Sequence, residues 1–318
     1  MSALKLFAFD YASASSPDGA LPASVRHQGQ MMLRALLSDL VELPGIELIT
    51  IGAPGPFRRR FDACVQAADA VWPLAPEAGG MLERLSRQVL RSERILLGSK
   101  PNALRVAGSK LRTSRALARA GVAVVPTYSP GQPLPPSTGA WVVKPDDGAG
   151  CLNSRIFPGA EAALAWIAAS GEAGWVLQPF FPGKLGSLSL LCCDGAAQLL
   201  GCNEPRIAVR DNQFHFLGTT VNSMPDADGG FERLAQAVAA AIPGLWGHVG
   251  VDFVIAEHGV VVLEVNARMT TSYAGLHASI GCNPAALVLD LLAQPAGTPR
   301  VRARPVAISV DVAAFGGA

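Results

Sequence analysis

Two apolar runs in the last third of the chain carry oxygen-bearing side chains where burial normally excludes them. They read Gly250-Val251-Asp252-Phe253-Val254-Ile255 and Val260-Val261-Val262-Leu263-Glu264-Val265-Asn266-Ala267-Arg268. A short turn at Glu257-His258-Gly259 joins them, which predicts a β-hairpin. Side chains alternate across a strand, so Glu264 and Asn266 share one face. If Asp252 lies opposite them, three hard oxygen donors converge. Such a set suits Mg²⁺, which also takes water and phosphate oxygens. Carboxylates in strands this apolar are costly to bury without a cation or partners. The plain alternative is a solvated sheet edge with ordinary polar residues.

A second group lies mid-chain. Val142-Val143-Lys144-Pro145 reads as a strand, followed at once by Asp146-Asp147-Gly148-Ala149-Gly150. Glycines let backbone N–H groups approach phosphate oxygens, and a lysine adds positive charge. The Gly-Lys-Ser/Thr spacing of a Walker A loop is absent. Lys110, at the start of a helix, is a second candidate cation; alone it would read as a solvated helix lysine. Leu177-Gln178-Pro179-Phe180-Phe181-Pro182-Gly183 leads from a strand into a bend. It suits a hinge whose backbone pairs with an adenine edge, and equally a loop covering core aromatics.

These residues need a scaffold, and the flanking sequence predicts one. Residues 4–9, 46–51, 70–73 and 95–97 read as strands, and residues 30–43 and 80–90 as helices. This alternation predicts a small parallel sheet with helices on its faces. No Gly-x-Gly-x-x-Gly follows the first strand, so a dinucleotide site has no support there. Ser99-Lys100-Pro101-Asn102 reads as a break, residues 109–120 as a helix closed by Gly121, and residues 126–136 as a proline-rich connection. Further on, residues 160–169 and 231–242 read as helices, and 175–178 and 306–312 as strands.

Bulk properties narrow the function classes. The chain has 318 residues, 50% hydrophobic and 16% charged, which is a globular balance with room for two or three lobes. With 26 basic and 25 acidic side chains, the formal charge of +1 supplies no field for nucleic acid or an anionic membrane. The longest apolar stretches are strand-length, far short of the roughly 20 residues a spanning helix needs. The N-terminal apolar run is too short for a signal peptide. Six scattered cysteines lack a Cys-x-x-Cys pair or zinc spacing, and fit reduced core thiols of a cytoplasmic protein.

Taken in order, these elements resemble the ATP-grasp superfamily over most of the chain. The resemblance implies an α/β fold with an N-terminal pre-ATP-grasp lobe (1–100), a small ATP-grasp subdomain (101–182) and a C-terminal ATP-grasp subdomain (183–318). The family's Asp…Glu-x-Asn metal pattern is matched by Asp252, Glu264 and Asn266, and its nucleotide-binding lysines by Lys110 and Lys144. Asp147, Gly148 and Gly150 would cover the phosphates, and Gln178, Pro179 and Phe180 would form the adenine hinge. One or two Mg²⁺ ions, with Mn²⁺ as a substitute, would bridge ATP. The implied reaction phosphorylates a carboxylate, and an amine then attacks the acyl phosphate. Lys144 and Arg268 are the expected catalytic cations.

A narrower resemblance rests on Glu264-x-Asn266-x-Arg268-x-Thr270-Thr271-Ser272-Tyr273-x-Gly275-Leu276 and on Ala75-Pro76-Glu77. Both look like the tyramine–glutamate ligase group of methanofuran biosynthesis. That resemblance implies glutamate and an amine as small-molecule substrates, no nucleic-acid or membrane partner, and room for a homo-oligomer. It offers Glu77, Thr270, Thr271, Ser272 and Tyr273 as substrate contacts; a Thr-Thr-Ser helix cap is the plain alternative for the latter run. The sequence departs from the superfamily pattern at three points. Gln178 stands where a hinge acid is common, Gly183-Lys184-Leu185-Gly186-Ser187 lacks a ribose acid, and Gly250 replaces an arginine. Arg268 and Arg206 are the candidates for that missing cation. A ligase for another acid–amine pair and a non-catalytic nucleotide sensor are the competing readings.

Overall fold

The computed structural model describes residues 3–15, 21–52, 55–136, 139–148, 151–293 and 305–312. The first lobe is a parallel sheet of β1 (Leu4–Asp10), β2 (Ile46–Ile49), β3 (Ala70–Leu74) and β4 (Ile95–Leu96), in the order β2-β1-β3-β4. Both faces of β1 are covered, so its run Leu-Lys-Leu-Phe-Ala-Phe is almost wholly apolar. Leu6 and Ala8 meet Met32, Leu36 and Leu40 of helix Ala23–Val41. Phe7 and Phe9 point the other way, onto Phe61 and Val65 of helix Phe57–Ala67 and Leu85 of helix Met81–Arg91.

The remaining strands form one nine-stranded sheet: β5 (Trp141–Pro145), β6 (Arg155–Phe157), β7 (Trp175–Pro179), β8 (Lys184–Cys193), β9 (Ala196–Arg210), β10 (Gln213–Val221), β11 (Gly247–Ala256), β12 (Gly259–Asn266) and β13 (Ile308–Asp311). Its order is β12-β11-β8-β9-β10-β6-β5-β7, with β13 on β10. Two-residue turns set the hairpin registers. Asp194-Gly195 and Asp211-Asn212 each have positive φ at both positions, as the twist-matching hairpin turn requires.

The sheet is packed in two unequal parts. Trp141, Val143 and Leu177 form a small core with Trp175 and with Ala163 and Ile167 of helix Ala160–Ser170. The rest shares both of its cores with the first lobe: Leu188, Val251 and Phe253 join the Phe7–Phe61 side, and Leu276 and Val288 join the Leu36–Leu40 side. The middle strands meet the large part through a single register pair, Gln213 with Arg155.

Helices Tyr11–Ala14, Phe57–Ala67, Pro101–Ala107 and Pro284–Ala293 were not anticipated. The tetrapeptide read as a break at residues 99–102 instead opens helix Pro101–Ala107, with proline in the first turn. Helix Phe57–Ala67 hides its apolar face behind Arg58-Arg59-Arg60. Among the described residues no single helix is long and apolar enough to cross a membrane. No disulfide joins any of the six cysteines.

Candidate active site

The hairpin sets the centre of a cleft between the lobes. Antiparallel pairing of β11 and β12 places Asp252 opposite Glu264 and Gly250 opposite Asn266. A bulge after Asp252 keeps these polar groups together while the strands beyond return to apolar pairing. Asn266 Nδ2 donates to Asp252 Oδ2 at 3.1 Å, which leaves the amide oxygen turned elsewhere. Lys110 Nζ lies 3.3 Å from Glu264 Oε2 and donates to the Gly148 carbonyl at 2.6 Å.

The electrostatics follow from burial. Burial, and then the facing Glu264 charge, push the Asp252 carboxyl well above its ordinary range. For Glu264 burial also pushes upward, but Lys110 and Lys144 outweigh it and hold the group below its usual value. Lys144 extends from β5 into the same cleft. It has no hydrogen bond or ion pair among the described residues. Burial pulls its ammonium down, while Glu264 works against that.

This donor set fits a divalent cation and a polyphosphate. Among the described residues no three His, Cys, Asp or Glu side chains cluster as a ready-made metal cage. Two carboxylates and one amide oxygen leave positions for water and phosphate, as Mg²⁺ favours. Two half-buried carboxylates face each other across the strand pair, and a lysine whose ammonium has no hydrogen bond among the described residues stands beside them. A cation and an anionic ligand would compensate both.

The loop after β5 is held from two sides. Asp146 accepts from Ser109 Oγ at 2.7 Å and from Leu111 N at 2.9 Å, which ties it to the start of helix Lys110–Arg119. Asp147 Oδ2 accepts from Gly79 N at 2.7 Å, so this residue docks the loop on the first lobe rather than facing the cleft. Gly148 lines the cleft, and Gly150 lies outside the described residues. At the hinge, Gln178, Pro179 and Phe180 line the cleft. Gln178 is buried and donates to Thr127 Oγ1 at 2.8 Å. The Phe180 N–H already donates to Ala140 O at 2.8 Å, so it is not free for an adenine edge.

Arg268 lines the cleft and donates through Nε to Glu77 Oε2 at 2.7 Å. Glu77 is thus a holder of Arg268; its other oxygen is buried without a partner. Thr270, Thr271 and Ser272 also line the cleft, through a hydroxyl chain from Thr270 to Ser272 to Ser189 with both links at 2.9 Å. Ser272 makes no side-chain cap bond to helix Tyr273–Ile280, so capping does not explain the run.

Two further expectations are corrected. Tyr273 is buried outside the cleft, where its hydroxyl donates to Asp39 Oδ2 at 2.6 Å. Arg206 points to the opposite sheet face from Pro205 and Ile207, which line the cleft, and binds Ser309, the Val310 carbonyl and Asp311. It therefore cannot replace a cation at Gly250. A β-carbon at Gly250 would come within 2.5 Å of Thr270 Cγ2, so the close approach of Thr270 requires glycine there. Residues not anticipated at the cleft include Asp10, Gln28, Gly29, Cys151 and Ser187.

Comparison with known proteins places the fold in a family. Residues 107–272 match the ATP-grasp domain family, and residues 31–104 match the pre ATP-grasp 3 domain family. A tyramine–L-glutamate ligase from Methanocaldococcus jannaschii is 25% identical over 289 residues, 84% of this chain and 83% of that protein. An ATP-grasp superfamily protein from Archaeoglobus fulgidus superposes with a TM-score of 0.75 at 23% identity, over 97% of this chain and 92% of that one. D-alanine–D-alanine ligase from Bacillus anthracis, complexed with ATP, gives 0.69 at 13% identity over 92% and 96%. With more than half of its length in the matching domain and the matching lobe in front of it, the chain belongs to the ATP-grasp family.

Proposed function

We propose that this chain is an ATP-dependent carboxylate–amine ligase that forms an amide through an acyl phosphate. In this reading it adds glutamate to an amine in one-carbon cofactor biosynthesis of the methanofuran and tetrahydromethanopterin type. The observation that carries it is the meeting of Asp252, Glu264 and Asn266 with two lysines from separate elements, Lys110 and Lys144. The tyramine–glutamate ligase relatives support the choice of substrates.

Bound Mg²⁺, one or two ions with Mn²⁺ as a substitute, would neutralise phosphate charge and align the γ-phosphoryl for transfer. Asp252, Glu264 and the Asn266 amide oxygen would hold it. Lys144 would meet the phosphates from the middle strands, and Lys110 would keep Glu264 ionised for the ion. Arg268, oriented by Glu77, would offer its remaining N–H groups to the phosphoryl or acyl oxygens. The loop from Asp146 to Gly150 would exclude water from the acyl phosphate. Gln178, Pro179 and Phe180 would border the base, and Thr270, Thr271 and Ser272 would contact the acid. No protein nucleophile is needed. The division at residues 100 and 182 stays part of this reading, with helix Lys110–Arg119 packed on β12.

The test is a coupled ADP assay with Mg²⁺ and glutamate against tyramine, tyrosine and pterin-linked amines. Asp252→Ala, Glu264→Ala and Asn266→Ala should each abolish ADP release in a folded protein. Normal turnover in all three sinks the metal assignment. Tight ATP binding with no ADP for any acid–amine pair would point to a nucleotide sensor instead.

A further inference from the structure

We infer that Asp10 receives the ammonium group of the amine substrate, so that the first-lobe end of the cleft is a subsite for a primary amine with an apolar or aromatic body. The inference deepens the ligase reading and rests on it.

Asp10 closes the central strand of the parallel sheet, at the carboxyl edge where such sheets place their ligands. It is 4% exposed and lines the cleft. Ser13 occupies its Oδ2, through N at 2.8 Å and Oγ at 2.6 Å. No ion pair reaches it among the described residues. Arg268 acts on it only as a distant charge, because that guanidinium is bound to Glu77. The Ala12 N–H also interacts with the carboxyl. The carboxylate stands in a largely apolar stretch of the cleft wall that includes Val25, Met32, Leu74, Pro76 and Met269. Burial accordingly raises its pKa.

Gly29 of helix Ala23–Val41 packs directly against this carboxylate, so any side chain there would displace it. A β-carbon there would lie 2.5 Å from Asp10 Oδ1. The chemistry of the wall selects between the two substrates. An amino acid brings a carboxylate beside its ammonium, and that carboxylate needs its own cation. Among the described first-lobe residues lining the cleft there is no lysine or arginine, and the nearby Arg268 is bound to Glu77 and, in the ligase reading, serves the phosphoryl or acyl oxygens. A primary amine without a neighbouring carboxylate satisfies Asp10 and can place its body on the apolar side chains.

Asp10→Asn tests the assignment, because asparagine keeps an oxygen for the Ser13 hydrogen bonds. Gly29→Ala is a second, independent variant. Calorimetry with tyramine as the probe, with its deaminated alcohol tyrosol, glutamate and MgATP measured in parallel, reads the effect without turnover. Tyramine affinity should fall about tenfold or more in both variants, the loss expected for a hydrogen bond between charged groups. Affinity for tyrosol in Asp10→Asn, and for glutamate and MgATP in both, should stay at wild-type values. Unchanged tyramine affinity in Asp10→Asn, loss of glutamate instead of tyramine, or no tyramine binding by the wild type would overturn the inference. ADP release is scored separately. Turnover with unchanged amine affinity sinks only the Asp10 assignment, and amine binding lost in the variant without wild-type turnover sinks only the ligase reading.

Discussion

Lys110 and Lys144 reach the same pair of carboxylates from differently built parts of the molecule. Lys110 begins a helix whose Leu117 is buried in the core shared by the first and last parts of the chain. It is 7% exposed and bound to both Glu264 and the Gly148 carbonyl. Lys144 rides on strands with their own small core, and none of the described residues pairs with it. One charge is therefore part of the folded framework, and the other is held ready for a ligand. In the ligase reading the two lysines divide stability and chemistry between them.

That comparison can be broken most decisively with methionine at each lysine. Lys144→Met should lower kcat about 10²- to 10³-fold in the ADP assay, since it removes a cation aimed at developing phosphate charge. Its unfolding free energy should change by less than about 1 kcal/mol, because the desolvation relieved at Lys144 is offset by the charge compensation that Glu264 loses. Lys110→Met should cost about 3 kcal/mol in denaturant melts, because Glu264 loses its direct partner. Equal stability changes at the two sites would end the distinction.

The framework side can also be probed by pH. His248 is buried, stacked on Trp72 of the first lobe and edge-on to Tyr273, and burial lowers its pKa from 6.5 to about 4. The folded protein keeps it neutral where the unfolded chain takes a proton. Its contribution is therefore complete above pH 6.5 and is lost as pH falls from 6.5 toward about 4. The loss should reach at most about 3 kcal/mol. Melting curves across that window should flatten in His248→Gln, and an unchanged slope would refute the assignment. The smallest effect sharpens the role of Glu77. Glu77→Gln should reduce kcat about tenfold with an unchanged KM for ATP, because Arg268 loses its orientation rather than its charge.

The hairpin end of the cleft was readable in its geometry because strands expose their logic in one dimension. Alternation alone put Glu264 and Asn266 on one face, and a short turn brought Asp252 opposite. The same rule, applied to Pro205-Arg206-Ile207, would have turned Arg206 away from the cleft. Tyr273 was misplaced because the chain enters a helix there, and its ring turns into the core while Ser272 stays at the cleft. Asp10 gave no signal. In sequence it is an ordinary cap at the end of a strand, and it caps the helix Tyr11–Ala14 in fact. Its place in the cleft wall depends on Gly29 packing against it, a contact that no local spacing encodes.

Asp39 has a consequence for how the protein is made. Its carboxylate accepts from Tyr273 Oη and pairs with His277 Nδ1, each at 2.6 Å, and its carbonyl accepts from Asn283 at 2.8 Å. These partners lie 234 to 244 residues downstream. During vectorial synthesis the N-terminal sheet emerges with a buried acid whose acceptor sites stay open until nearly the whole polypeptide has left the ribosome. Closing so long a loop is slow. The nascent first lobe should therefore stay protease-sensitive and dependent on chaperones until helix Tyr273–Ile280 arrives, and chains stopped before residue 273 should accumulate as partly folded intermediates.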